Sequence, residues 1–113
     1  MRDLQTGFVL PEQPMPLSNP QRRQLKGLAH HLKPVVMVGQ HGLSDGVLNE
    51  VSIALDTHEL IKVRISTGDR EQRQETISAI CAHSGAETVQ TIGHVAVFYL
   101  RHPKKPKIRL TGT

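Results

Sequence analysis

The stretch PVVMVGQHGLSDG, residues 34–46, constrains the fold more than any other part of the chain. A proline followed by a valine-rich apolar run predicts a strand that is covered on both sides or lies deep in a core, and that ends at Gly39. Ser44 is the expected N-cap of a helix. Four apolar residues behind it recur on one helix face: Val47, Leu48, Val51 and Leu55. The stretch therefore predicts a strand, a tight turn and a helix in direct succession.

The turn itself has the pattern GxxG, formed by Gly39, Gln40, His41 and Gly42. Glycine has no Cβ, so the backbone can adopt a positive φ and approach another molecule closely. Free N–H groups and the positive end of the helix dipole both favour an anion above such a loop. The pattern alone is common, and an ordinary strand-to-helix connection can use the same glycines.

The composition limits the classes of function. Only 3% of the 113 residues are aromatic and none is Trp, which argues against a base-stacking platform. The single cysteine, Cys81, excludes a disulfide framework and is expected in the core of a protein from a reducing compartment. No apolar run is long enough to cross a membrane. We therefore expect a single cytoplasmic domain without membrane contact.

Positive charge is concentrated in two segments. Residues 18–33 carry four Lys and Arg, residues 101–113 carry five, and neither segment contains Asp or Glu. In the first segment Arg22, Lys26 and Lys33 project to one side of the predicted helix, and Arg23 widens this basic stripe. Purely basic segments indicate a polyanionic partner, although a solvated helix face has the same composition.

The order of elements follows from caps and periodicity. Residues 1–18, with three prolines, are expected to form a flexible or extended arm outside the fold. A first helix should begin at Ser18 or Asn19 and end near Leu32. Its apolar face is predicted from the i, i+3, i+4, i+7 spacing of four residues: Leu25, Leu28, Ala29 and Leu32.

Residues 60–66 alternate apolar with polar side chains and so predict a second strand. Asp69 with Gln72 forms a capping-box pattern for a third helix that ends at Gly85. Gly93 and His94 join two β-rich runs into a hairpin. The predicted order is αβαβαββ for a domain of residues 19–100, followed by a basic tail of residues 101–113.

No catalytic constellation is recognisable. None of the seven histidines pairs with another ligand at metal-binding spacing, and no P-loop or dinucleotide fingerprint occurs. His41 could donate a hydrogen bond to a phosphate, and a nuclease using it as acid or base is one alternative. We expect a monomeric binding module, with no cofactor, metal, small-molecule substrate or enzymatic activity.

Three blocks carry a family resemblance: LKGLAHHLKPVVMVGQHGLSDGVLNEV, HELIKVRI and SGAETVQTIGHVAVFY. In this order, over about residues 19–100, they resemble the CRM domain (chloroplast RNA splicing and ribosome maturation) in its stand-alone bacterial, YhbY-type form. The resemblance implies an α/β fold of the two-layer α+β kind with a four-stranded mixed sheet. It also implies a likeness to the C-terminal domain of translation initiation factor three. The chain departs from the expected pattern where Leu100 separates Tyr99 from Arg101.

The resemblance further implies RNA binding and association with precursors of the large (50S) ribosomal subunit, as in ribosome biogenesis. The family's RNA-binding loop falls on residues 39–42, and its basic surroundings fall on Arg22, Arg23, Lys26 and Lys33. We add three tail residues to the expected phosphate contacts: Lys104, Lys105 and Lys107. The alternative is a protein-interaction adaptor that docks a basic ribosomal protein through Glu50, Asp56 and Glu59.

Overall fold

Three helices and four strands follow one another in the predicted order. The structure is a computed structural model that describes residues 16–66 and 68–112. Residues 1–15 of the predicted arm lie outside the described residues. The elements are α1 (Asn19–Ala29), β1 (Pro34–Val38), α2 (Asp45–His58), β2 (Leu60–Ile65), α3 (Arg70–Ser84), β3 (Glu87–Ile92) and β4 (Val95–Tyr99). The α+β class and the αβαβαββ order are confirmed.

The four strands form one mixed sheet in the order β1-β2-β4-β3, as expected. β1 runs parallel to β2, whereas β4 is antiparallel to both β2 and β3. Val38 lies opposite Ile65 at one end of β2, and Tyr99 lies opposite Leu60 at the other. We call these the loop end and the tail end. At about 3.3 Å per residue they are roughly 17 Å apart.

The core has two parts, one on each face of the sheet. Helices α2 and α3 cover one face, where Val51, Leu55 and Ile80 pack against β-strand side chains such as Val63 and Phe98. Helix α1 covers part of the other face. Its buried residues pack there with four from the sheet: Leu25 and Ala29 with Leu60, Val89, Val97 and Tyr99. α1 thus adds a partial third layer to the two expected.

Side-chain caps fix where the helices begin. Ser18 caps α1 and forms a capping box with Gln21, and Ser44 accepts a hydrogen bond from the Val47 amide at the start of α2. Asp69 and Gln72 form the predicted capping box of α3, and Gly85 ends that helix in the left-handed conformation. Each cap satisfies amide groups that a helix terminus would otherwise leave unpaired.

Strand β1 is not covered on both sides, and this prediction was wrong. Val36 and Val38 are buried under α2, but Val35 is 51% exposed and Met37 is 59% exposed. β1 is an edge strand, and α1 lies mainly over the other three strands. The second face of β1 therefore has no covering element, and its continuous apolar run is only half buried.

Helix α1 is shorter and less deeply packed than predicted. It ends at Ala29 and not near Leu32, and only Leu25 and Ala29 on its apolar face are buried. Leu28 and Leu32 are 45% and 37% exposed. A single i, i+4 pair is enough to contact the narrow strip of sheet beneath α1, so the two flanking leucines remain at the surface.

The basic tail packs on the domain. It contains no helix over residues 101–112, and Ile108 and Leu110 join the part of the core beneath α1. The tail backbone is bound to α1 through Gln24, whose side chain donates to the Arg109 carbonyl and accepts from the Thr111 amide, at 2.8 and 2.7 Å. The tail cations are therefore held in place relative to the sheet.

Glu59 anchors the tail at its centre. This carboxylate is fully buried, and it accepts hydrogen bonds from the backbone amides of His102, Lys107 and Ile108 at 2.7 to 2.8 Å. Its φ of 65° is unusual for a residue other than glycine. Three amide donors compensate for the burial of the charge, so residues 102–108 close around one side chain.

Candidate nucleic-acid interface

The GxxG loop lies at the loop end of the sheet, between β1 and the N-terminus of α2. The Gly42 amide donates to the Gly39 carbonyl at 3.0 Å, which closes a four-residue turn. The amides of Gln40 and His41 donate to no other residue in the described part of the chain. Both of these side chains are exposed. The turn therefore presents two free donors beside a helix N-terminus, an arrangement that suits an anion.

The two glycines of the loop differ in whether the backbone requires glycine. Gly42 has a φ of +71°, which favours glycine, whereas Gly39 does not lie in that region. A Cβ built at either position would meet nothing within 4 Å. The loop is thus open to an approaching molecule, and the fold does not require glycine at position 39. Asp45, exposed in the first turn of α2, is the nearest acidic residue in the sequence and partly offsets the helix dipole.

Two cations of β2 lie on the sheet face that α1 leaves partly open. Arg64 is exposed and pairs in register with Met37, two residues before the loop. Lys62 lies two residues earlier and is half-buried. Neither was among the predicted site residues. The signal that could have identified them is the strict alternation of residues 60–66, which already assigned both cations to one face of the strand.

Of the basic residues predicted on the first helix, Lys26 is best placed for a ligand. It lines a cleft of about 330 Å³ between α1 and the sheet, together with His30, Lys62 and Gln90. Arg23 and Lys33 are exposed. Lys33 lies in the connection between α1 and β1, next to the exposed Leu28 and Leu32. The structure thus brings Lys26 and Lys62 together from two elements.

Arg22 has a structural role that its position in the basic stripe did not reveal. Its guanidinium is half-buried and donates to the carbonyl oxygens of Thr88 and Val89, at 2.5 and 3.4 Å. These bonds fasten the first turns of α1 to the sheet at the start of β3. The Nη1 group of Arg22 is therefore used inside the protein.

Helix α3 contributes two more arginines at the loop end. Arg70 and Arg73 line a cleft of about 320 Å³ with Gly93, which lies in the β3–β4 turn. Arg73 also donates to the Gly68 carbonyl at 3.0 Å, while Arg70 is exposed. The buried residues of α3 lie in its later turns, at Ile77 and Ile80. Arg70 and Arg73 lie in its first turns, outside the core, at the same end of the sheet as the GxxG loop.

The three predicted tail lysines lie at the opposite end. Lys104 and Lys105 are exposed, and their backbone amides donate to the His102 ring nitrogen at 3.1 and 2.9 Å. The Lys107 ammonium donates to the Thr57 carbonyl at the end of α2. The structure does not bring these lysines to the GxxG loop, so one RNA could contact both only by running the length of the sheet.

The acidic flank expected after the loop is smaller than the sequence indicated. Glu59 is buried beneath the tail and is not on the surface at all. Asp56 is exposed but lies 3.1 Å from the Nε2 atom of His102. Glu50 is exposed. The adaptor hypothesis therefore loses Glu59 as a docking residue.

Three further observations concern metal sites, the thiol of Cys81 and membrane-spanning helices. Within residues 16–66 and 68–112, no three His, Cys, Asp or Glu side chains come together in a way that could hold a metal ion. Cys81 is half-buried against the core, with its sulfur 3.1 Å from the Thr88 hydroxyl oxygen, as expected for a packing residue. None of the described helices has the length and apolar character needed to span a membrane.

Comparisons with known proteins show which family the chain is similar to. A family model described as the CRS1/YhbY (CRM) domain matches residues 17–100. The chain is 53% identical over 94 residues to a protein of Haemophilus influenzae named as an RNA-binding protein, covering 83% of this chain and 94% of that one. It is 43% identical over 93 residues to a probable RNA-binding protein of Pseudomonas aeruginosa, covering 82% and 89%.

A solved structure has the same fold. The solution structure of a hypothetical protein from Staphylococcus aureus, described as a candidate RNA-binding protein, superposes with a TM-score of 0.72 at 28% identity. The match covers 83% of this chain and 98% of that one. The resemblance seen in the three sequence blocks is confirmed. The chain belongs to the CRS1/YhbY (CRM) domain family.

Proposed function

We propose that this protein binds RNA and acts in ribosome biogenesis, on precursor RNA of the large (50S) ribosomal subunit. The observation that carries the proposal is the open GxxG loop, whose free amides at Gln40 and His41 stand at the N-terminus of α2. Family membership and the names of its relatives as RNA-binding proteins support the choice of RNA as the anion. The protein would act as a cytoplasmic monomer without a membrane partner.

The mechanism is recognition of the sugar-phosphate backbone. A phosphate above the loop would accept hydrogen bonds from the Gln40 and His41 amides, and the dipole of α2 would add to the attraction. Gly39 would let the ribose-phosphate chain approach without meeting a side chain. These contacts position the RNA but carry no information about base sequence.

Flanking cations would hold the neighbouring phosphates. Arg64 and Lys62 from β2 and Lys26 from α1 stand on the sheet face next to the loop. Arg70 adds exposed positive charge at the loop end, whereas the exposed Arg23 and Lys33 lie farther along the sheet, with Lys33 beside Leu60. The tail lysines lie at the opposite end of the sheet, so Lys104 and Lys105 would be contacted only by a longer RNA that follows the length of the sheet.

Base recognition should be weak. Of the described aromatic residues, Phe98 and Tyr99 are buried, so the described surface offers no Phe or Tyr ring for stacking at the loop. Sequence-specific recognition of single-stranded RNA usually depends on such stacking. We therefore expect the protein to select structured RNA by shape and by phosphate position.

Crosslinking in cells followed by sequencing of the bound RNA tests this function. The expected result is enrichment of precursor RNA of the large subunit, together with cosedimentation of the protein with large-subunit precursors. The matched variant is Gly39→Asp, which puts a carboxylate into the loop at a position where an added Cβ meets nothing within 4 Å. Crosslinks spread evenly over unrelated RNA, or unchanged by this variant, would overturn the proposal.

A further inference from the structure

The tail end of the sheet carries a second cleft, separate from the GxxG loop. After Tyr99 the chain turns around the buried Glu59 carboxylate and returns beside β4. Between the outgoing and returning segments lies a cleft of about 490 Å³, and its walls include Arg101, Pro106, Ile108 and Arg109. A volume of this size is in the range that small-molecule ligands occupy in proteins.

Tyr99 lines the inner side of this cleft and has an unusual hydroxyl group. The residue is only 6% exposed, and its Oη atom is buried with no hydrogen-bond partner among the described residues. Buried polar atoms are nearly always paired, because an unpaired hydroxyl loses its bonds to water without replacement. The unpaired Oη therefore points to a partner outside the described residues.

The cleft carries two cations that are not used within the protein. Neither the Arg101 nor the Arg109 guanidinium donates a hydrogen bond to another residue in the described part of the chain, although both line the cleft. The third cation, Lys107, is already bound to the Thr57 carbonyl. No Asp or Glu is among the lining residues. Two free guanidinium groups in such a wall suit a phosphate.

Alternation along the chain brings one of these arginines to the Tyr99 side. Tyr99 packs in the core beneath α1, and Leu100 packs on the opposite face, in the core formed with α2 and α3. The next residue, Arg101, returns to the Tyr99 side and lowers the pKa of that hydroxyl, while burial, the larger effect, and the Glu59 carboxylate raise it. At neutral pH the hydroxyl is therefore protonated and can act as a donor.

The position of Glu59 decides how a ligand would lie. Its carboxylate is near enough to Tyr99 to raise the pKa of the hydroxyl, so a second negative charge at Oη would be repelled. An uncharged acceptor, such as a base carbonyl or a ribose oxygen, suits the hydroxyl instead. The phosphate of the same ligand would then lie at the two arginines, and Pro106 and Ile108 offer apolar contact to a base.

We propose that this cleft binds one nucleotide, with its base or ribose at the Tyr99 hydroxyl and its phosphate at Arg101 and Arg109. The nucleotide could be free or could be an unpaired residue of an RNA chain. The proposal stands on the cleft itself and does not require RNA to bind at the GxxG loop, which lies at the opposite end of β2.

The test is an amide chemical-shift titration of the full chain with AMP, adenosine and inorganic phosphate. We expect AMP to shift the amides of residues 99–110 and to bind at least fivefold more tightly than either part alone. Tyr99→Phe removes only the hydroxyl and should lower the affinities for AMP and adenosine by similar factors. Arg109→Ala should lower the affinity for AMP to that for adenosine and leave the affinity for adenosine unchanged.

Three outcomes would overturn the proposal: no shifts at residues 99–110 with any probe, equal AMP affinity in wild type and Tyr99→Phe, or a clear loss of thermal stability in Tyr99→Phe. The last would mean that the hydroxyl has a partner within the protein. Arg109→Ala changes an exposed side chain, so its effect on AMP binding can be measured without altering the packing around Tyr99.

A six-nucleotide single-stranded RNA identifies the source of the ligand. Shifts at residues 99–110 with RNA at lower concentration than with AMP would assign the cleft to an RNA nucleotide, and the reverse would assign it to a free one. The Gly39→Asp variant tests the proposed function separately, because loss of RNA binding at the loop leaves the AMP titration to report on the cleft alone.

Discussion

At the scale of single residues, the two glycines of the loop show how a motif can contain two different requirements. Gly42 adopts a φ of +71°, so the backbone explains why glycine stands there. Gly39 has an ordinary φ and open space where a Cβ would lie. Glycine at position 39 therefore has no reason within the fold, and close approach of a ligand is the reason we propose.

Alanine substitution separates these two roles. We expect Gly42→Ala to lower the free energy of unfolding by about 1 kcal/mol, since alanine is strained at a positive φ. Gly39→Ala should leave it unchanged or raise it by up to about 0.5 kcal/mol, because the unfolded chain loses freedom. Urea denaturation of both variants measures the difference. Equal destabilisation by the two substitutions would contradict the distinction.

Tyr99 makes the stability of the protein depend on pH at the alkaline end. Burial and, second, the Glu59 carboxylate raise the pKa of its hydroxyl above the ordinary value of 10.0. A raised pKa means that the folded state holds the proton more tightly than the unfolded state. The protonated hydroxyl therefore makes its full contribution to the free energy of unfolding below pH 10. This contribution is lost as the pH rises through the folded-state pKa.

The chain has one Tyr and no Trp, so tyrosinate absorbance reports on Tyr99 alone. We expect a midpoint above pH 10 in the folded protein and near pH 10 in urea. The free energy of unfolding should fall above pH 10 more steeply in wild type than in Tyr99→Phe. A folded midpoint at or below the unfolded one would show that the hydroxyl is not buried as described.

At the scale of elements, the tail depends on one side chain. The Glu59 carboxylate accepts two amides at Oε1 and one at Oε2. Glu59→Gln keeps the shape but replaces one oxygen with an NH₂ donor that would face an amide donor. We expect a loss of about 2 kcal/mol in the free energy of unfolding and faster hydrogen exchange at His102, Lys107 and Ile108.

Asp56→Asn is the matched control for this variant. It neutralises a neighbouring carboxylate that is 74% exposed and pairs with His102, so its effect on stability should stay below about 1 kcal/mol. If Glu59→Gln were no more destabilising than Asp56→Asn, the tail would not depend on the buried carboxylate.

Element identity could be predicted from the sequence because its causes are local. The capping pattern of Asp69 and Gln72, the left-handed Gly85 and the Gly93-His94 hairpin each depend on a few neighbouring residues, and all are present. The extent of burial could not be predicted for Leu28, Leu32, Val35 and Met37. Whether an apolar side chain is covered depends on which distant element packs over it.

The candidate site shows the same contrast between features set by neighbouring residues and features set by distant contacts. The GxxG turn and its place between strand and helix follow from residues 34–46 alone. The internal hydrogen bonds of Arg22 to β3, and the burial of Glu59 under the tail, depend on contacts between residues 66 and 43 positions apart in the chain. Sequence patterns carry no information on either contact, so they predict surface positions for both Arg22 and Glu59.

At the scale of the whole molecule, the two ends of the sheet offer two different surfaces. The loop end combines free amides with exposed cations from α1, β2 and α3, whereas the tail end encloses a cleft beside Tyr99. The two are roughly 17 Å apart along β2. This separation allows each surface to be changed without disturbing the other.

RNA affinity measured across a range of salt concentrations is the most direct test of the central claim, that the open loop holds RNA by its phosphates. With about five phosphates neutralised, log K against log salt should have a slope of about −3.5 to −4.5 for wild type. Gly39→Asp should weaken binding of a structured fragment of large-subunit precursor RNA at least tenfold with an unchanged free energy of unfolding. Ser78→Asp, which adds the same charge on the exposed side of α3, should weaken it less than twofold. Equal affinities for wild type and Gly39→Asp would contradict the account.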